Sequence, residues 1–284
     1  MEIKWNYKNQ EHIFETREGD GVPYLSFKGL DDIGMALNGF STRLGGVSKG
    51  KFATMNFSYS RKDDPENVLE NFTRMARALK VERDRMVVSH QTHTVNVRRV
   101  TKADEGKGVI RPRDYKDVDG LITDVPGLTL VTLYADCVPL YLVDPVHRAI
   151  GLSHSGWRGT VKEMGRVTLE AMGEAFTTKP EDVTAAIGPS ICRDCFEVGE
   201  EVVREFEAAF DCKYHKELIH PNGRPGKYHL DLWKANQIIL QDAGVRPERI
   251  HTTNICTMCN SDYLFSHRRV GQERGNLAAF LCIR

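Results

Sequence analysis

The apolar positions along the chain change period several times, and each change marks a new element. Val68, Leu69, Phe72, Met75, Ala76 and Leu79 recur at helical spacing and predict one apolar helix face. Asp64 stands at the N-cap of that helix, and Pro65 suits its first position. Residues 12–15, 86–88, 95–97, 120–123 and 149–153 are short apolar runs that read as strands. Residues 128–144, LTLVTLYADCVPLYLVD, read as two buried strands parted by Ala135, Asp136 and Cys137. Helical spacing returns over 160–176, 198–210 and 232–243, with strands expected at 183–187, 251–255 and 277–283. Residues 101–118 are charged, carry Gly106, Gly108 and Pro112, and read as a loop, a candidate mobile lid. Strands fall in groups of two to four between helices. That predicts an α/β chain of the α+β type, with mixed β-sheets covered by helices rather than a doubly wound parallel sheet.

Length and charge narrow the class. A chain of 284 residues buries a sizeable core without staples, and one domain spanning 1–284 is expected. Lys and Arg together number 39, as do Asp and Glu, and neither end is strongly basic, so no nucleic-acid partner is expected. No stretch is long and apolar enough to span a bilayer, and the first six residues lack the apolar core of a signal peptide. A cytoplasmic protein without a membrane partner is the expectation. Seven cysteines, an odd number in a chain too long for a disulfide scaffold, point to thiols that bind metal or do chemistry.

Three residues stand out: His93, Cys137 and His154. Each lies at the end of an expected strand, where a rigid frame can hold a site. Two imidazoles and a thiolate suit zinc, and three protein ligands leave a fourth position open, as in catalytic sites. Their spacings match no short zinc motif, and taken singly a histidine at a strand end is usually a hydrogen-bonded group and a buried cysteine a packing thiol. His90 competes with His93, since residues three apart face opposite sides of an extended segment. Asp136 either assists the site by moving a proton or anchors a turn ahead of Pro139. A metal-free hydrolase is the rival chemistry, with Cys137 as nucleophile and His154 as its base. Separately, Cys192-Arg193-Asp194-Cys195 and Cys256-Thr257-Met258-Cys259 form two C-x-x-C pairs. Brought together in space they would make a second metal site; packing thiols and an oxidised disulfide are the alternatives.

Several segments, taken in order, resemble one known family. They are Thr42–Ser48 (TRLGGVS), Met55-Asn56-Phe57, Gln91-Thr92-His93, Asp119–Thr123 (DGLIT) and Ala135-Asp136-Cys137. His154–Gly159 (HSGWRG), Ile187-Gly188-Pro189 with Glu197-Val198-Gly199, and Phe265–Arg269 (FSHRR) complete the set. The family is the YfiH/YlmD type, once labelled multicopper polyphenol oxidase or laccase and now described as purine nucleoside phosphorylase. The resemblance runs from about Gly39 to Arg274. It implies a single-domain α/β sandwich with zinc held by His93, Cys137 and His154. It also implies phosphorolysis of adenosine, inosine and 5′-methylthioadenosine to base and ribose 1-phosphate, with adenosine deamination as a companion activity.

Phosphate would need arginines, which bind it bidentately. Arg43, Arg158, Arg268 and Arg269 lie in these segments, and Arg43 and Arg158 are favoured. Arg158 sits just ahead of an expected helix, whose N-terminus attracts anions. Asn56 and Gln91 are candidates for the ribose hydroxyls or the base. The chain lacks the His-x-Glu and Pro-Cys-x-x-Cys pair of the zinc nucleobase deaminases, which leaves Asp136 as a candidate acid/base. Copper oxidase chemistry is disfavoured, because multicopper sites need paired histidine clusters and His90 and His93 are the close pair here. Adventitious copper uptake by a thiolate–imidazole site fits its affinity order. Amide hydrolysis of cell-wall precursors, an assignment some family members carry, is a further rival.

Overall fold

The computed structural model describes residues 3–284. Among the described residues fifteen strands, numbered along the chain, fall into three sheets. The first sheet holds, in spatial order, β1 (Phe14–Gly19), β2 (Val22–Phe27), β3 (Ala36–Ser41), β15 (Leu277–Ile283), β7 (Thr129–Tyr134) and β4 (Met86–Val88). The second holds β14 (Ile250–Thr252), β10 (Thr184–Ile187), β8 (Val138–Asp144), β9 (Ala149–Ser155), β6 (Gly120–Thr123) and β5 (Val97–Arg99). A small third sheet joins β11 (Glu197–Gly199), β13 (Lys227–Leu230) and β12 (Ile219–Pro221). Both large sheets are mixed: β4 runs parallel to β7, and β5 parallel to β6, among mainly antiparallel neighbours.

The two large sheets pack face to face. Leu130, Phe40 and Leu281 of the first share one core with Tyr141, Val143 and Leu152 of the second. Helix α1 (Pro65–Leu79) covers the outer face of the first sheet through Val68, Phe72, Met75 and Leu79. Asp64 caps it by accepting from Glu66 N. The outer face of the second sheet is covered by α2 (Trp157–Val161), α3 (Met164–Phe176), α4 (Glu200–Ala209) and α5 (Leu232–Asp242). Strand β8 is therefore buried on both faces, Leu140 and Leu142 toward the helices and Tyr141 and Val143 toward the other sheet. That is why its sequence is continuously apolar rather than alternating.

The two strands expected in 128–144 are β7 and β8, and they belong to different sheets. Ala135, Asp136 and Cys137 form the corner where the chain crosses from one sheet to the other. Asp136 turns that corner with φ 86°, in the left-handed region.

Some boundaries differ from the sequence expectation. The helix expected over 160–176 is two helices, α2 and α3, broken at Glu163, which is left-handed with φ 56°. Apolar spacing continues across the break, so periodicity alone conceals it. The strand expected at 95–97 begins at Val97, because Thr94 and Asn96 instead bond to Asp117, Asp119 and Gly120. The helix expected from residue 198 starts at Glu200, since residues 197–199 pair as β11. The strand expected over 251–255 is β14, which ends at Thr252. Residues 101–118 hold one short 3-10 turn, Lys102–Asp104, and are otherwise irregular. The loop is tied down by Lys107, which bonds Asp104 and Asp114, and by Tyr115 Oη, which donates to Val88 O.

Candidate active site

Both six-stranded sheets contribute to one end of the sandwich, and the residues there converge. His154 is the penultimate residue of β9, Cys137 lies at the corner ahead of β8, and His93 on the segment between β4 and β5. Their donor atoms all lie within 4.8 Å of one another. His93 Nε2 is 3.9 Å from Cys137 Sγ, and the two imidazoles meet edge to face with centroids 5.0 Å apart. Exposure is graded: His154 is buried, Cys137 half-buried and His93 exposed. One side of the set thus faces solvent.

Asp119, which sequence reasoning left without a role, builds this arrangement. It is fully buried just ahead of β6. Its Oδ1 accepts from His154 Nδ1 at 2.8 Å and from His93 N at 3.1 Å. Its Oδ2 accepts from Thr92 N, Thr94 N and the Thr94 hydroxyl. A carboxylate on Nδ1 fixes the His154 tautomer with its proton there, leaving Nε2 free to ligate. The same carboxylate wraps the 92–94 turn, where His93 takes φ 65°. Gly156 closes the other side. A Cβ there would sit 2.9 Å from His93 Cδ2 and 3.1 Å from Cys137 Sγ, so only glycine admits the donors this closely.

The charges interlock. Burial alone would raise the Cys137 thiol, but His154 and His93 overturn that and bring it down to about 6. Burial would depress His154, yet the Cys137 sulfur and the Asp119 carboxylate raise it to about 9. Burial would likewise raise Asp119, but hydrogen bonds from His154, Thr92 and Thr94 hold it at about 2. A thiolate favoured at neutral pH beside two imidazoles is a soft donor set for one metal ion.

The donors open onto a cavity of about 240 Å³, just under the ~300–1,000 Å³ usual for ligand pockets. Arg61, Arg113 and Arg274 line it, with Tyr59, His90 and Gln91. Arg61 donates to Asn276 Oδ1 and Gln272 Oε1, and Arg274 to Gly275 O and Asn276 Oδ1, all neutral acceptors. Arg274 is almost fully buried, its Nε has no partner among the described residues, and burial together with repulsion from Arg61 lowers it to about 10. Two neighbouring guanidiniums on neutral acceptors leave positive charge free for an anion.

The favoured arginines are elsewhere. Arg43 donates to Ala53 O and Ser261 O, lies over Phe265, and lines a neighbouring cavity together with Arg269. Arg158 is exposed and stacked over Trp157. Arg268 is exposed, donates to Glu197 O and lies over Phe196. Asn56 is fully buried and bonded on both ends, to Ser58, Asp63 and Asn276. Gln91 lines the cavity, but its amide pairs with Leu133 N and O. Asp136 points away from the donors, accepting from the Thr257 hydroxyl and from Arg268 N, both at 2.6 Å. Of the readings left open for it, its placement is that of an anchor. His90 stands beside the donors without joining them; its Nδ1 accepts from Asp117 N.

A family model described as multi-copper polyphenol oxidoreductase laccase matches residues 37–284. The chain belongs to this family. Among its relatives, purine nucleoside phosphorylase YlmD of Bacillus subtilis is 34% identical over 86% of this chain and 87% of its own. An adenosine deaminase from an unknown prokaryotic organism is 35% identical over 83% of this chain and 90% of its own. The crystal structure of YlmD from Geobacillus stearothermophilus superposes with a TM-score of 0.87 at 34% identity, covering 96% of this chain and 99% of that one. The resemblance to the YfiH/YlmD type read from the motifs is borne out, and so is the layered α/β architecture of mixed sheets. Among the described residues no helix is long and apolar enough to cross a membrane.

Proposed function

We propose that this protein is a cytoplasmic, zinc-dependent purine nucleoside phosphorylase. Its substrates in this reading are adenosine, inosine and 5′-methylthioadenosine, with adenosine deamination as a second activity. The observation that carries the reading is one pocket containing both the His93, Cys137 and His154 donor set and the neighbouring Arg61 and Arg274, whose hydrogen bonds go to neutral acceptors. The names of the relatives, phosphorylase in one case and deaminase in the other, support the same pair of reactions.

The donor set fits zinc, because Asp119 holds the second nitrogen of a ligating histidine, a common feature of zinc sites. Zinc held by His93, Cys137 and His154 supplies Lewis acidity in the pocket. The remaining work falls to the chain. Arg61 and Arg274 hold phosphate with its oxygens toward the sugar. A phosphate oxygen attacks the anomeric carbon, the bond to the purine nitrogen breaks, and the base leaves with the electron pair and takes up a proton. Tyr59, stacked on Phe72 and partly exposed at the pocket wall, offers aromatic surface to the purine.

The test is turnover of adenosine with and without phosphate, separating adenine, inosine and hypoxanthine. Adenine appearing only with phosphate, and vanishing in Cys137→Ala, is the expected result. Absence of adenosine consumption in both conditions would count against the reading. The thiolate–imidazolium pair also suits a metal-free hydrolase. In that case Cys137 of the protein as purified would alkylate readily, whereas a zinc ligand is protected.

A further inference from the structure

The four cysteines of the two C-x-x-C pairs lie far apart in sequence but meet on the far side of the corner that carries Cys137. Cys192 and Cys195 flank a 3-10 turn beyond β10, and Cys256 and Cys259 lie on the turn beyond β14. These two strands are parallel neighbours, and the pairing continues as a bridge between Ser190 and Cys256. All four sulfurs lie within 4.8 Å of one another, and all four thiols are free. Cys195 Sγ is 3.5 Å from Cys259 Sγ. A single ion bound by four thiolates at ~2.3 Å sets its sulfurs ~3.8 Å apart.

Two further features belong to metal-bound thiolates. A main-chain N–H points at one of the sulfurs, Cys192 N at Cys256 Sγ at 3.3 Å. Such a donor stabilises a charged sulfur. The Lys8 ammonium stands at the rim, 3.5 Å from the Asp194 carboxylate between the first two cysteines, brought there by Lys8 N donating to Asn254 O and by a bridge from Tyr7 to Ile255. A divalent ion with four thiolates carries a net negative charge, which a lysine at the rim offsets.

We infer that Cys192, Cys195, Cys256 and Cys259 bind a second zinc ion in a closed tetrathiolate site. With four protein ligands it has no open position, so it is structural rather than catalytic. The two segments it clamps both grip Asp136: Ile191 N donates to Asp136 O, and the Thr257 hydroxyl to Asp136 Oδ1. The clamp thus braces the corner from which Cys137 projects.

Elemental analysis of protein purified under reducing conditions tests this without reference to activity. Two zinc ions per chain are expected in the wild type, and one in Cys195→Ser/Cys259→Ser. The double substitution is also expected to lower Tm. Because it can prevent folding, Cys137→Ala provides the second measurement, as it leaves these four cysteines intact. That variant should retain one zinc, and X-ray absorption at the zinc edge should show an all-sulfur shell. Any of three results would overturn the inference: no zinc in Cys137→Ala, iron in place of zinc, or a Cys195–Cys259 disulfide in the protein as purified.

Discussion

At the scale of single residues, Asp119 does more than any candidate that the sequence brought forward. One oxygen bonds both His154 Nδ1 and His93 N, and the other holds Thr92 and Thr94. Asp119→Asn keeps the shape but removes the charge and part of the accepting capacity. Zinc affinity is expected to fall about 10–100-fold, read by competition with a chromophoric chelator; unchanged affinity would deny Asp119 this role. Arg61 and Arg274 make a separate prediction. Replacing either by Gln removes a charge-assisted contact to phosphate, of about 1.5–3 kcal/mol. KM for phosphate should rise about 10–100-fold, with zinc content unchanged. If KM for the nucleoside rises instead, the arginines serve the nucleoside rather than phosphate.

Elements decide which of these residues were legible. Cys137 and His154 stand where apolar strands stop, so the period of the sequence exposed their positions. Arg61 ends a single 3-10 turn and Arg274 lies on an irregular segment, neither long enough to show a period, and only tertiary folding places them beside the donors. Arg43 and Arg158 sat in suggestive motifs, but a long side chain goes where its partners are, here Ala53 O for one and the Trp157 ring for the other. Asp119 was visible as a motif residue, yet nothing in the sequence tells that it faces two histidines. The 101–118 loop gives the prediction that belongs to this scale. Burial would raise the Asp104 carboxyl, but Lys107, the Thr101 N–H and Arg98 overturn that and hold it at about 2. Because this lies below the ordinary 3.8, ionised Asp104 stabilises the folded chain in full above that pH. The contribution is lost as pH falls from there through about 2. Asp104→Asn should therefore cost about 2 kcal/mol at neutral pH and flatten the acid limb of stability. Urea titrations at a series of pH values check both; an unchanged acid limb would show that the loop anchor contributes nothing.

The whole molecule depends on two sheets sharing one interior. Two tyrosines tie them across it in opposite directions. Tyr141 of the second sheet donates to Gly39 O of the first at 3.0 Å, and Tyr134 of the first donates to Ser153 O of the second at 3.0 Å. Both rings are fully buried. The Tyr134 ring also lies beside His154, with centroids 5.5 Å apart, so the inter-sheet core runs up to the metal donors. Apolar residues from both sheets fill the space between, so neither sheet keeps a covered inner face without the other. Unfolding one alone would expose that face on its partner, and the sheets should therefore unfold together despite the length of the chain. Tyr141→Phe isolates the tether: it removes the donor, keeps the ring, and leaves Gly39 O with one partner fewer. Its expected cost is about 0.5–1.5 kcal/mol. Urea unfolding of the variant followed by far-ultraviolet circular dichroism and by tryptophan fluorescence should give coincident transitions, shifted to lower urea with the same slope. Trp5 packs on Tyr263, while Trp157 and Trp233 report from the helical side of the second sheet, so fluorescence is sensitive to that layer. Transitions that separate in the variant would mean that the sheets are independent units and that the shared core does not bind them into one.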